Sequence, residues 1–468
     1  MMHSNKLRVL IFILLGISAT ASAQSFLGVA DAGTLPTKAA LLNPSNIVYA
    51  QKPFGIDILG LQAGLDQSYG AIKKGGIRQL LKEDDISLAA LDRMLEKNSG
   101  DEFDVHSMLD APLISAHMLY KEQHHLAFQY RLRTMVSITD YNAKVLRFLL
   151  SSPGQRSDVD VSDMRFVGNA WKELAFTYAR TVYTSDKARL NIGFSPKYVA
   201  GMGFMGANIS QLNATIEPPL SAQEKGEMQL HHFSMNAASS ARFDGLFNNL
   251  SAHIANPFKG AAGWGLDMGI SYEQESEAEG RAGTWRLGLA LRDIGRIYYR
   301  KTTNLSAQGR EASINLDSVT VGYEDVEQLR NFLSEAGLQT SYTNGSGKQA
   351  FRLPASLSFN ATYYLHQHFS LQGHYFYGFV PSGSSFGNTA WHQAAVVLAY
   401  ERPNVYVGLP LVYNFGTQNF KPGLGLNIYG VYLGVDNVAN LLGLKQVRST
   451  AFYVGWQLPI TWSFEGER

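Results

Sequence analysis

Two neighbouring stretches decide the fold: WGLDMGISY, from Trp264 to Tyr272, and WRLGLALR, from Trp285 to Arg292. In an extended chain, successive side chains point to opposite faces. Trp264, Leu266, Met268, Ile270 and Tyr272 therefore share one face, and Gly265, Asp267, Gly269 and Ser271 share the other. In the second stretch Trp285, Leu287, Leu289 and Leu291 oppose Arg286, Gly288, Ala290 and Arg292. The same alternation runs through Val405 to Phe415 and through Phe452 to Trp462. These runs match the roughly 9–11 residues of a membrane-crossing strand better than the usual five or six of a globular one. Trp and Tyr close the ends of the apolar faces, where the two bilayer interfaces favour amphipathic rings. Gly and charges occupy the polar faces, where a soluble sandwich would place large apolar side chains. The pattern predicts an all-β protein, a transmembrane antiparallel β-barrel.

Working outward, further strands are expected over Ile56–Tyr69, Leu113–Tyr120, Leu126–Ile138, Leu174–Thr184, Ala188–Gly201, Ser356–Leu365, Phe369–Phe379, His392–Tyr400 and Leu424–Val435. The total is thirteen, and single-chain bacterial barrels have even numbers. Either Met228–Ala238 supplies another strand, or Leu424–Val435 turns near Tyr429-Gly430 into two, which gives about fourteen. Short connections are expected at Lys121–His125, Thr184–Lys187, His366–His368 and Glu401–Asn404. Long ones are expected at Gly70–Ala111, Asp140–Trp171, Gly203–Gly263 and Ile294–Leu353. Two long connections carry helical patterns, Ile77–Lys97 and Glu324–Ala336, the second with Gly337 as its stop.

Composition sets the class. Only 17% of residues are charged while 12% are aromatic, which fits a surface turned partly to something other than water. Cys is absent, excluding a disulfide scaffold, a thiol nucleophile and a lipid-anchored lipoprotein. Lys6 and Arg8, the apolar run Leu10 to Ile17 and the small-x-small site Ala21-Ser22-Ala23 read as a signal peptide over residues 1–23. Beyond it no apolar run is long enough for a membrane helix, and no basic run points to nucleic acid. The expected location is the bacterial outer membrane.

The charges expected on the inner face are Arg131, Arg133, Asp267, Arg286 and Arg292, with Asp267 and Arg286 on consecutive strands as a candidate pair. They read first as ion pairs that fix the barrel's shape, and second as groups selecting a ligand. The histidines His124-His125, His231-His232 and His366/His368 lack the Cys or carboxylate neighbours of a metal site. Asp158, Asp160 and Asp163, expected in an outer loop, lack the Gly and terminal Glu of a calcium loop. There is no Gly-x-Ser-x-Gly elbow, and no Ser can be tied to His374 and Asn360 on the inner face. No enzyme, metal or cofactor is expected.

The segment Ala39-Ala40-Leu41-Leu42-Asn43-Pro44-Ser45-Asn46-Ile47 resembles the N-terminal Asn-Pro-Ala segment of long-chain fatty-acid transporter (FadL-like) barrels, with Ser45 in place of Ala. The pairing of GLDMGISYE (Gly265–Glu273) with WRLGLALRDIG (Trp285–Gly295) is similar to a paired-strand signature of such barrels in Bacteroidetes-type bacteria, among them the outer-membrane shuttle of type IX secretion. The resemblance implies about fourteen strands (56–468), with residues 24–55 as a lumenal plug marked by Asn43 and Pro44. It implies outer-membrane lipid as surroundings. It leaves two functions open: passage of hydrophobic small molecules, or docking of outer-membrane protein partners in secretion or motility.

Overall fold

The computed structural model describes residues 26–458 apart from 69, 73–94, 98–101, 122, 143–155, 219–225, 241–253, 278–279, 316–325, 380–385 and 439–448. The expected signal peptide lies outside the described residues, as does most of the helical pattern over Ile77–Lys97. The last three residues of that pattern, Leu95–Lys97, instead pair as a strand with Gly70–Ile72.

Fourteen antiparallel strands close into a barrel. In chain order they begin with β1 (Phe54–Gln67), β2 (Glu102–Tyr120), β3 (His124–Asn142), β4 (Ser157–Thr184) and β5 (Ala188–Glu217). After β6 (Glu227–Ser240), which is not one of the fourteen, come β7 (Ala261–Gln274) and β8 (Trp285–Gly309). Beyond β9 (Gln339–Arg352), again not one of the fourteen, the wall continues with β10 (Ser356–Tyr364), β11 (Phe369–Gly378), β12 (Gln393–Arg402) and β13 (Val405–Asn414). It ends with β14 (Leu424–Ile428), β15 (Val431–Val435) and β16 (Ser449–Leu458). Strand β16 pairs with β1, Ile56 opposite Leu458 and Gln62 opposite Tyr453, and this seam closes the cylinder. The even count comes from the split of Leu424–Val435. Tyr429 and Gly430 both have positive φ (50° and 90°), the conformation of a two-residue hairpin turn whose twist matches its strands.

The wall is inside out relative to a soluble protein. On β11, Phe369, Leu371, Tyr375 and Tyr377 are exposed while Ser370, Gln372 and His374 are buried. On β12, Val396 and Leu398 are exposed and Gln393 is buried. Equivalent exposed side chains recur around the barrel, including Phe128, Phe176, Ile192, Met268, Leu289, Phe359, Leu409 and Trp456. Left in water, each would forgo part of the roughly 1.5–3 kcal/mol that full burial of such a side chain gives, and soluble monomers do not expose contiguous patches of this extent. In hydrocarbon that cost disappears. Closure satisfies the backbone groups that lipid would leave without partners. No described helix is long and apolar enough to cross a membrane.

Above this band the long connections expected from the sequence are largely strand. β4 and β5 run for 28 and 30 residues, about three times a membrane crossing. Their upper halves form a sheet extension with the upper half of β8 and with β6 and β9, which pair with β8 at Thr302–Gly309 and Arg296–Gln308. Here the alternation inverts. Val159, Val161, Leu212, Ile216, Leu230 and Leu305 face a shared interior, while Asp158 and Asp160 point to solvent. Asp158, Asp160 and Asp163 therefore stand on a strand and not in a loop; Asp158 accepts a hydrogen bond from Thr215 Oγ1 at 2.9 Å. A helix over Val326–Glu335 packs Val326 and Leu333 onto this interior and stops at Gly337 (φ +85°).

Candidate functional site

A barrel of about eight strands is filled by its own side chains, and one of 16–18 strands leaves an aqueous channel. Fourteen strands leave a lumen too wide for side chains alone. Two pieces of chain occupy it here, one from each end.

The lower piece is residues 26–52. Pro36–Leu42 is a short helix begun by Pro36, and Pro44–Tyr49 is a 3₁₀ helix capped by Asn43. Residues 36–47 are buried throughout. Asn43 uses both ends of its amide. Its Oδ1 accepts from Ser45 N at 3.0 Å and Ser45 Oγ at 2.7 Å. Its Nδ2 donates to the Ile270 carbonyl at 3.0 Å and lies 3.4 Å from the Leu289 carbonyl. The Gly-rich inner faces explain how the backbones come so close. A Cβ on Gly193 would stand 2.8 Å from the Pro44 carbonyl oxygen, one on Gly288 2.8 Å from Asn43 Nδ2, and one on Gly269 would overlap Asn43. Across the lumen, Gly408 and Gly425 lie opposite each other in register and form a second seat, for Gly28.

Polar contacts from around the wall hold the segment between these seats. Gln129 Nε2 donates to the Thr37 carbonyl at 2.7 Å, Ser358 Oγ to the Leu42 carbonyl at 2.9 Å, and Asn427 Nδ2 to Thr34 Oγ1 at 2.8 Å. Gly33 N donates to Glu401 at 2.8 Å. Lys38 is buried 3.7 Å from Asp57 and 5.3 Å from the rings of Phe26 and Tyr432. One space between segment and wall, lined by Asp31, Tyr49, Arg286, Asn360 and Tyr364, is about 10 Å³, near the volume needed for one water.

Next on one side of the lumen comes a belt of buried charge. Arg131 pairs with Asp110 and lies 3.4 Å from Glu173. Arg133 pairs with Glu173 at 3.2 Å and Asp293 at 2.9 Å, with its guanidinium 4.9 Å from the Trp171 ring. Lys197 reaches Asp267 and Asp293, each at 2.7 Å, and Glu173 at 3.5 Å. Arg292 is buried beside them with its guanidinium over Phe376. Four cations face four carboxylates.

The candidate pair of Asp267 with Arg286 does not form. In the observed register Arg286 is directly opposite Glu273 and pairs with it, its guanidinium stacked 3.7 Å from the Tyr49 ring. Asp267 lies opposite a bulge between Leu291 and Ile294, where it accepts a hydrogen bond from Asp293 N at 2.6 Å. That bulge, with Asp293 at φ 52°, turns Arg292 and Asp293 both inward. Strict alternation misses Asp293 for this reason. Glu173 and Lys197 were readable as isolated charges on the inner parity of their strands, whereas Asp110 was not, because a bulge between Pro112 and Ile114 reverses its parity.

The upper piece is the segment Phe386–Trp391. Asn388 Nδ2 donates toward the Met135 and Val167 carbonyls at 3.4 and 3.3 Å. Phe386 packs with Phe204, which also meets Tyr299 and Phe351 at centroid distances of 4.6 and 5.7 Å. With Met108, Met135 and Trp171 they make an apolar layer. Trp391 is buried below Lys421, which pairs with Asp66 at 2.9 Å. The histidines lie elsewhere: His124 bonds Tyr178, His231 bonds Thr215, and His366 and His368 flank a tight turn. His374 and Asn360 face inward, Asn360 beside Asn43.

Fold and interior define a closed fourteen-stranded antiparallel barrel with its own N-terminal chain in the lumen. The protein belongs to a family of unknown function, DUF5723, whose model matches residues 45–436. No curated protein matches it. Solved structures similar to it include the TodX ΔS2S3 mutant monoaromatic hydrocarbon channel, at 8% identity over 95% of this chain and 98% of that one, TM-score 0.43. The translocator domain of the autotransporter NalP from Neisseria meningitidis gives 8% identity over 94% and 100%, TM-score 0.34. A FadL homologue of Pseudomonas aeruginosa gives 9% over 94% and 99%, TM-score 0.32.

Proposed function

We propose that the chain is a bacterial outer-membrane barrel, without enzymatic activity, that passes hydrophobic small molecules and is held closed to water by residues 26–52 and, above them, residues 386–391. The carrying observation is the character of the interior above the charge belt. Met108, Met135, Trp171, Phe204, Tyr299, Phe351 and Phe386 line it, where a water-filled porin is polar. Such a lining favours apolar solutes over ions. The Asn43-Pro44 resemblance to FadL-like barrels supports the same reading. The test is uptake of a labelled panel of fatty acids and aromatic compounds by cells with and without the gene. Loss of uptake for at least one apolar class is expected on deletion; equal uptake across the panel would overturn the reading.

A second reading, a docking component of a secretion or motility assembly, is favoured by one feature. The sheet extension and its helix form a tall folded body above the apolar band. Affinity purification from gently solubilised membranes separates the two, since the docking reading requires a stoichiometric outer-membrane partner.

A further inference from the structure

The outward face of β8 changes character abruptly. From Trp285 upward it presents Leu287, Leu289, Leu291 and Ile294, and then Arg296, Tyr298 and Arg300. Arg296 is directly opposite Trp264 on β7, at the upper end of that strand's apolar face. On its other side, Arg296 lies directly opposite Arg352 of β9, and Arg300 directly opposite Lys348. All four cations are exposed, with Tyr298, 45% exposed, between the two arginines of β8. None of the four makes an ion pair with a described residue, in contrast to Arg131, Arg133 and Lys197 of the belt inside.

Like charges directly opposite across a strand pair repel and destabilise it. Two such pairs stacked on one face, roughly 13 Å apart along the strand, call for an external anion. Their height says which. They begin where the apolar band and its aromatic rim end, the level of lipid headgroups. They stand on the side of the long connections, away from the short turns and both ends of the barrel chain, which in such barrels is the outer face.

We propose that Arg296, Arg300, Lys348 and Arg352 form a binding site for the phosphate groups of lipopolysaccharide in the outer leaflet, whose acyl chains lie along Leu287, Leu289 and Ile294. This inference rests on the outer-membrane reading above. Arginine suits the task because its planar fork meets phosphate oxygens two at a time. A headgroup carrying more than one phosphate engages both cation pairs and cancels the repulsion within each.

The experiment uses the purified full chain in detergent, titrated with lipid A, with enzymatically dephosphorylated lipid A and with inorganic phosphate. Wild type is expected to bind lipid A and to lose most of that affinity with the dephosphorylated form. Inorganic phosphate is expected to compete only weakly. Neutralising the cations to Gln one after another is expected to weaken binding roughly fivefold per charge. The pair Lys348→Glu with Arg352→Glu is a second probe. It converts both repulsive pairs into attractive ones, so the barrel folds with an unfolding temperature at or above wild type while lipid A binding is lost.

Equal binding by wild type and the Gln variants, or equal binding of phosphorylated and dephosphorylated lipid A, would overturn the proposal. Inorganic phosphate binding as tightly as lipid A would show a simple anion site and overturn the lipid assignment. Membrane fractionation of the same cells keeps the two readings apart. Protein found outside the outer membrane defeats the location, whereas protein in the outer membrane without phosphate-dependent binding defeats only this site.

Discussion

Barrels lacking both residues 26–52 and residues 386–391, the second replaced by a Gly-Ser linker, are expected to show large stable conductance steps in planar bilayers. Removing either segment alone is expected to leave conductance low. The reason is geometric. A fourteen-stranded wall is too wide for its own side chains to fill, and the lumen is closed twice by independent means. Below, the Asn43-Pro44 turn and Gly28 sit on opposite glycine seats of the wall. Above, Phe386 and Asn388 fasten an outer connection against Phe204 and the backbone of β3 and β4. The two pieces touch the wall at different levels, so loss of one leaves the other in place. Additive conductance from the two single deletions would show that they do not close the lumen in series.

The second large effect is on stability. Lys197→Met is expected to destabilise the barrel by roughly 3–5 kcal/mol, the cost of breaking a buried ion pair from one side. Lys197 lies within 3.5 Å of Asp267, Asp293 and Glu173, and its removal leaves four buried carboxylates facing three cations. The side chain is replaced by one of similar length, so packing changes little and charge carries the effect. Urea unfolding of the barrel in lipid vesicles reads it as a lowered midpoint. Adding Asp267→Asn to the same chain is expected to recover part of the loss, because the charge balance is restored. An unchanged midpoint for Lys197→Met would mean that the belt is solvated and braces nothing.

Much of this architecture was legible in the residues, and the exceptions have physical causes. In the membrane band, alternation with large apolar groups outward gives each strand of the wall. It also places Arg131, Arg133, Asp267, Arg286 and Arg292 inside, where the structure has them largely buried. The pairing of Asp267 was not legible because it depends on register: Arg286 falls opposite Glu273, and Asp267 meets Lys197 of β5 instead, while the bulge at Arg292–Asp293 is what brings Asp293 inside. The upper halves of β4, β5 and β8 read as loops because their parity is inverted. Val159 and Val161 point inward and Asp158 and Asp160 outward, the pattern of a soluble sheet. A search for lipid-facing stripes passes over them. The Gly residues on the inner faces stood out in the sequence, but their purpose needs the partner chain: Gly193, Gly269 and Gly288 are small because Asn43 and Pro44 lie against them.

The seating of the N-terminal segment inside the membrane barrel is open to a direct test, since the chain has no cysteine of its own. Thr34 and Asn427 are both buried and joined by a 2.8 Å hydrogen bond between the segment and β14. With Thr34→Cys and Asn427→Cys introduced together, intact outer membranes treated with a short, membrane-permeable bismaleimide are expected to yield an internally cross-linked chain of altered mobility on a denaturing gel. A bulky water-soluble maleimide is expected to label neither position until the protein is unfolded. Rapid labelling of both thiols in the native membrane, with no cross-link formed, would place the segment outside the lumen and contradict the account.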